Sequence, residues 1–172
     1  MKLISYNKLI IIDIVNIGQA KNIKRRGEHM KYLSKDDSKC IQCGQCEDVC
    51  SKTYYKVKDR NRSCIQISEK GGMADINVCD QCGECIDICP VMAITRDKQG
   101  VVRINKKICV GCFMCVGFCS KLSMRQHDEY IEPFKCIACD LCSKVCPTGA
   151  ICISEKDDSE ALELPLDKLF NK

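Results

Sequence analysis

Sixteen of the 18 cysteines fall into four runs that share one spacing. They are Cys40, Cys43, Cys46, Cys50; Cys79, Cys82, Cys85, Cys89; Cys109, Cys112, Cys115, Cys119; and Cys136, Cys139, Cys142, Cys146, each Cys-x-x-Cys-x-x-Cys-x-x-x-Cys. Iron binds thiolate sulfur, and a cubane iron–sulfur cluster presents four iron corners. Three thiols in seven residues wrap three corners in one tight turn. The fourth thiol of the same run cannot reach the remaining corner and is expected to serve a neighbouring cluster, so runs must work in pairs. Zinc also takes four Cys, but its sites usually set two Cys-x-x-Cys pairs well apart. The pattern therefore predicts four 4Fe-4S clusters and no catalytic residue.

The elements around each run must bring backbone close to sulfur. Gly44 and Gly83 stand just after the second Cys of their runs and Gly111 just before it, where a missing Cβ permits close approach and N–H donation to sulfur. Pro90 and Pro147 follow the fourth Cys; they fit the first position of a helix, so that Cys is predicted to start a short one. Ile86, Ile88, Val91, Ile94, Val110, Phe113, Met114 and Phe118 are expected to pack round the clusters and limit water. Ser63–Ile67 and Ala74–Val78 alternate on either side of Gly71-Gly72, which predicts a β-hairpin. Asp97–Gly100 reads as a turn and Val101–Ile104 as a strand leading into Cys109.

The second and third runs lie close together, joined by that turn and strand. Pairing them leaves the first run with the fourth. The ligand sets are then Cys79, Cys82, Cys85 with Cys119; Cys109, Cys112, Cys115 with Cys89; Cys40, Cys43, Cys46 with Cys146; and Cys136, Cys139, Cys142 with Cys50. A tandem arrangement, one with two and three with four, is the alternative. On these motifs Cys40–Ile151 resembles the four-cluster ferredoxin-like electron-transfer subunits that accompany molybdenum or tungsten oxidoreductases, hydrogenases and CO dehydrogenase. The resemblance implies a linear relay between a catalytic subunit (an aldehyde- or formate-type molybdo- or tungsto-enzyme, a hydrogenase or CO dehydrogenase) and a soluble electron carrier. The compact second and fourth runs depart from many members, which widen the second and carry an insert in the fourth.

The implied fold is α+β: two ferredoxin-like two-cluster units, pseudo-duplicated, with short helices and small antiparallel hairpins around the clusters. The four-cluster domain is expected over 30–153, its inner unit at 74–125 and its outer unit at 30–73 plus 126–153. Residues 154–172 form a charged tail that turns amphipathic from Leu162 to Phe170. It reads as packed on the domain or docked to a partner. Arg25–Met30 back-translates to a ribosome-binding sequence followed by a start codon, so residues 1–29 are read as a non-native or disordered leader and Met30 as the start.

No secretory signal or membrane span is visible, which places dense cysteine in a reducing compartment, the cytoplasm of an anaerobe, and makes it metal-binding rather than disulfide-forming. The net charge of +4 resides wholly in residues 1–29, which hold six Lys/Arg against Asp13 and Glu28. Four clusters at about −2 each would leave the body at roughly −8, so nucleic acid is not an expected partner. With four thiols for every cluster, no iron is open for substrate, which argues for an electron-transfer subunit and against an enzyme. A free polyferredoxin and an iron–sulfur redox sensor are the rival readings. Cys64 and Cys152 are left over; each alternates with Ile and is expected to be a small buried hydrophobe. His127 is expected to be solvated.

Overall fold

A computed structural model describes residues 29–157. The expected leader, apart from His29, and the amphipathic stretch Leu162–Phe170 lie outside the described residues. Three two-stranded antiparallel sheets frame the cysteine runs. Strand β1 (His29–Lys35) pairs with β6 (Ile151–Asp157), from His29 opposite Asp157 to Lys35 opposite Ile151. Strands β2 (Gln66–Lys70) and β3 (Met73–Asn77) form the hairpin between the first and second runs. Strands β4 (Ile94–Arg96) and β5 (Val102–Ile104) lie between the second and third. Helices are short: α1 (Gln45–Tyr55), α2 (Glu84–Ile88) and α3 (Met114–Gly117). The sheets nest like brackets, β1 and β6 outside, β4 and β5 within. Strand β6 runs on to Asp157, past the domain boundary set at 153.

Local chemistry accounts for these elements. Gly71 and Gly72 have φ of +61° and +80°, the left-handed pair that matches a two-residue hairpin turn to strand twist. The first strand of that hairpin begins at Gln66, later than predicted, because the Cys64 and Ile65 N–H groups go to Cys50 Sγ and Ser63 Oγ; a 3-10 turn, Arg60–Arg62, precedes them. The Asp59 carboxylate caps this turn by accepting the Asn61 N–H at 3.0 Å. Ile67 and Ile76 are register partners. Glu47 Oε1 accepts the Ile67 N–H at 3.0 Å and Asp37 Oδ1 accepts the Ile76 N–H at 2.9 Å. Backbone donors leaving the hairpin on both sides are thus satisfied by carboxylates flanking the first run. Asp97 organises the inner turn: its Oδ1 accepts from Gln99 and Val101 N–H at 2.9 and 3.0 Å, and its Oδ2 from Arg103 Nε at 2.8 Å.

Two cores sit between the sheets and the runs. The larger joins Leu33, Ile65, Ile76, Phe134 and Ile151 to Cys46, Cys64, Cys79, Cys136 and Cys142. The smaller joins Ile94, Val102 and Met124 to Cys115. Aromatic contacts fasten the connection between the third and fourth runs to α1: the Tyr55 ring lies 4.4 Å from Tyr130 and 5.3 Å from Phe134. Arg62 donates to Glu129 Oε1 at 2.6 Å and to the Tyr130 hydroxyl at 2.8 Å. His127 is packed there rather than solvated, its ring 5.6 Å from Tyr130 and its Nε2 3.9 Å from the Asp59 carboxylate.

Leu33 is fully buried where the outer sheet meets the first and fourth runs. Leu33→Ala is expected to cost about 2–5 kcal/mol, read as a lower midpoint in anaerobic denaturant unfolding. An unchanged midpoint would show that the outer sheet does not close over this core.

Candidate metal centres

All four runs share one backbone device. The residues immediately before and after the second Cys both take positive φ: Gln42 and Gly44 (+56°, +72°), Gln81 and Gly83 (+64°, +93°), Gly111 and Phe113 (+66°, +54°), Ala138 and Asp140 (+51°, +70°). Non-glycine residues enter this region at a cost of about 1–2 kcal/mol, and strain of this kind gathers at functional sites. The turn brings N–H groups onto sulfur: Gln81 N–H lies 3.4 Å from Cys79 Sγ and Ala138 N–H 3.3 Å from Cys136 Sγ. Sequence patterning marked the three glycines. It missed Gln42, Gln81, Phe113, Ala138 and Asp140, whose side-chain types carry no such signal. Arg96 braces the second run, donating to Gln81 O, Cys82 O and Gly100 O at 3.0, 3.1 and 2.6 Å.

The fourth Cys ends a short helix instead of starting one. Cys89 caps the C-terminus of α2, Cys119 follows α3, and Cys146 closes the 3-10 turn Ser143–Val145. The chain then makes a tight turn, with Met92 N–H bonded to Cys89 O at 3.2 Å, Leu122 to Cys119 O at 3.0 Å and Gly149 to Cys146 O at 3.4 Å. Pro90 and Pro147 occupy the second position of that turn, which their fixed φ also suits. The turn returns a donor to the sulfur just left: Ala93 N–H to Cys89 Sγ at 3.2 Å and Ser123 N–H to Cys119 Sγ at 3.4 Å. Those bonds hold the Cys119 thiol below its ordinary value although burial opposes them.

Cys50 is the exception, since it lies inside α1, whose helical path makes no such turn. The missing donor comes from the insert: Cys64 N–H reaches Cys50 Sγ at 3.3 Å. Hydrogen bonding from the Cys64 side chain, helped by backbone N–H groups of Cys64 and Ile65, outweighs burial and brings the Cys50 thiol down to about 6. Cys64 is fully buried, as expected, but lies outside any strand and acts as a donor to Cys50. Cys152 is exposed, because its side of β6 turns away from the core. Of the apolar residues expected to shield clusters, Val110, Met114 and Phe118 are likewise exposed.

Thiols of different runs meet at two cavities. Cys50 lines one cavity with Cys136, Cys139 and Cys142. Cys89 lines another with Cys109, Cys112 and Cys115. Cys40, Cys50 and Cys146 pack on the larger core, which contains Cys46, Cys79, Cys136 and Cys142, and Cys85, Cys89 and Cys119 pack on the smaller one around Cys115. Burial first, then the neighbouring Glu47 charge, with smaller contributions from Cys43 and Cys146, pushes the Cys46 thiol up to about 12. Burial likewise raises Cys85 and Cys136 to about 12 and Cys115 to about 11, and raises Cys142 strongly. Electrostatic contact also crosses between the groups, from Cys46 to Cys142, from Cys136 to Cys79 and from Cys85 to Cys115. Buried thiols of this kind lose their protons to a metal rather than to water. No two of the 18 cysteines are joined by a disulfide. The candidate ligands are all cysteine sulfur, a donor set that fits an iron–sulfur cluster.

Among the described residues no helix is long and apolar enough to cross a membrane. Residues 33–51 and 129–152 match one family model described as a 4Fe-4S binding domain, and residues 76–93 match a second with the same description. The chain is 27% identical over 161 aligned residues to the ferredoxin-like protein YdhX of Escherichia coli K12, covering 79% of this chain and 70% of that protein. It is 28% identical over 150 residues to the thiosulfate reductase electron transfer subunit PhsB of Salmonella typhi, covering 73% of this chain and 76% of that one. Formate hydrogenlyase subunit 2 of Escherichia coli K12 is 33% identical over 87 residues, covering 49% of this chain and 42% of its own length.

A Cβ on Gly111 would stand 2.6 Å from the Ile131 carbonyl oxygen at a φ of +66°. Gly111→Ala is therefore expected to cost about 1–3 kcal/mol and to lower iron retention in a chelator challenge; wild-type retention would contradict the close approach. Cys64→Ala is expected to keep the full iron content while shifting one cluster potential, since it removes the thiol donor to Cys50, leaves the backbone N–H donor in place and removes no ligand. Loss of a whole cluster would make Cys64 a ligand.

Proposed function

We infer that this ferredoxin-like iron–sulfur electron-transfer protein relays single electrons through four 4Fe-4S clusters, between a catalytic redox subunit and another carrier. The observation that carries the reading is the crossing of the runs: Cys50 shares a cavity with Cys136, Cys139 and Cys142, and Cys89 with Cys109, Cys112 and Cys115. The nested ligand sets follow, Cys79, Cys82, Cys85 with Cys119 and Cys40, Cys43, Cys46 with Cys146 being the other two. The inner pair with β4 and β5, and the outer pair with β1 and β6, then make two ferredoxin-like units, a pseudo-duplication. Bound, each cluster supplies a one-electron couple whose potential depends on net charge, hydrogen bonds to sulfur and exposure.

The chain's own residues set those conditions. Turn N–H groups donate to Cys79, Cys89, Cys119 and Cys136, and the insert donates to Cys50. The contacts between groups support a linear order: Cys46's group, then Cys142's, then Cys79's, then Cys115's. Cys43 and Cys112, at the two ends, are exposed, as is Cys139 of a middle group. Around Cys112 the surface is apolar, with Val110, Phe118 and Ile131 exposed, which supports a subunit contact at that end. A relative named as the electron transfer subunit of thiosulfate reductase and another named as a formate hydrogenlyase subunit favour a subunit of an oxidoreductase complex over a freely diffusing polyferredoxin. The catalytic partner is read as a molybdo- or tungsto-enzyme, a hydrogenase or CO dehydrogenase, in the cytoplasm.

Anaerobically prepared chain is expected to hold about 16 iron atoms, four per cubane; far fewer would overturn the four-cluster reading. Cys50→Ser and Cys136→Ser are expected to alter the same paramagnetic signal of the reduced protein. If Cys50→Ser instead altered the signal that Cys79→Ser alters, the runs would be paired in tandem and the linear order would fall.

A further inference from the structure

Two cations lie at the junction of the inner and outer cysteine groups, and neither meets a carboxylate among the described residues. Lys135 is 3% exposed. Its Nζ spends all three donors on neutral oxygens: Gln81 Oε1 at 2.7 Å, Val102 O at 2.9 Å and Cys136 O at 2.9 Å. Gln81 is itself fully buried and fixed on both sides, its Oε1 accepting the Val102 N–H at 3.0 Å and its Nε2 donating to Cys136 O at 2.9 Å. The ammonium is therefore held in place and cannot reach water along a flexible stem. Its charge bears on Cys85 and on Cys136, one thiol from each side of the junction.

Arg125 stands on the same junction. One terminal nitrogen donates to Asn77 Oδ1 at 2.6 Å, but the buried Nε has no partner. The thiols that bear on it are Cys64, beside Cys50, and Cys119. Hydrogen bonding satisfies Lys135, and partly Arg125, but nothing in the described protein balances their charge, an arrangement a fold does not sustain cheaply.

We propose that Lys135 and Arg125 form a fixed positive seam that is neutralised by the two middle clusters and raises their reduction potentials relative to the outer two. This rests on the ligand sets of the preceding section: Cys85 and Cys119 belong to one middle site, Cys136 and Cys50 to the other. A cluster on four thiolates carries about −2 when oxidised and one charge more when reduced. A nearby cation favours the more negative state, so an electron is held more tightly in the middle of the row than at either end. The seam makes the centre of the relay its resting place for charge. It also couples the two units electrostatically, because one ammonium faces both.

The test uses anaerobic holoprotein and four variants. Lys135→Met and Arg125→Met each remove a charge; Lys135→Arg and Arg125→Lys keep it. Iron content and a redox titration followed by electron paramagnetic resonance are the readouts. Each neutral variant is expected to keep wild-type iron and to lower two of the four midpoint potentials. The expected change is on the order of tenfold in the oxidised-to-reduced ratio, ~59 mV for a one-electron couple, with the other two potentials unmoved. The charge-keeping variants are expected to retain the wild-type values. Full iron with unmoved potentials, or an equal shift of all four, overturns the proposal and leaves the ligand reading intact. Wild-type protein short of four clusters overturns the ligand reading instead. If a neutral variant loses iron that its charge-keeping counterpart retains, the cation is needed as counter-charge and the proposal stands. Loss of iron from both makes the residue a packing element and overturns it.

Discussion

Seven residues of chain carry three thiols round a turn with two left-handed residues, and no fourth thiol within that turn is available to the same centre. A four-cornered centre must borrow its last sulfur from a distant run. That shortage of reach organises the molecule. It would pair the runs, and the cavity that Cys50 lines with Cys136, Cys139 and Cys142 brings the first run against the last. The outer sheet holds that closure, with β1 entering the first run and β6 leaving the fourth in one antiparallel ladder.

The same constraint explains the composition of the interior. Both cores are built from aliphatic residues and cysteine, so packing and ligation draw on the same side chains. Aromatic content is only 5%, and its structural use is concentrated where Tyr55, Tyr130 and Phe134 tie the third-to-fourth connection to α1. The insert after the first run has a comparable job. It carries the hairpin that Asp37 and Glu47 anchor, and it delivers Cys64 to Cys50, replacing the turn that the other fourth cysteines use.

Cysteine spacing made the runs legible, and Gly71-Gly72 made the hairpin legible, because each rests on local geometry that residue type controls. The left-handed pairs were half visible. Glycine advertises them, whereas Gln42, Phe113, Ala138 and Asp140 are forced into them by the closure of the run. The proline after the fourth Cys misled, since a fixed φ suits a tight turn as well as a helix start. Cys152 misled too: alternation with Ile identified the strand, but which face met the core depended on the register with β1. Lys135 and Arg125 could not be read at all. A basic residue is ordinarily a surface residue, and only tertiary packing buries Lys135 and half-buries Arg125.

The central claim is that four separate polynuclear iron centres stand in one row, crossing the sequence order of the runs. Anomalous diffraction at the iron edge from anaerobic crystals tests it most directly. The account predicts four compact iron peaks in line, with the centre at Cys40, Cys43 and Cys46 at one end and the centre at Cys109, Cys112 and Cys115 at the other. Fewer peaks, single-ion peaks, or a row in which the first run shares its centre with the second would contradict it.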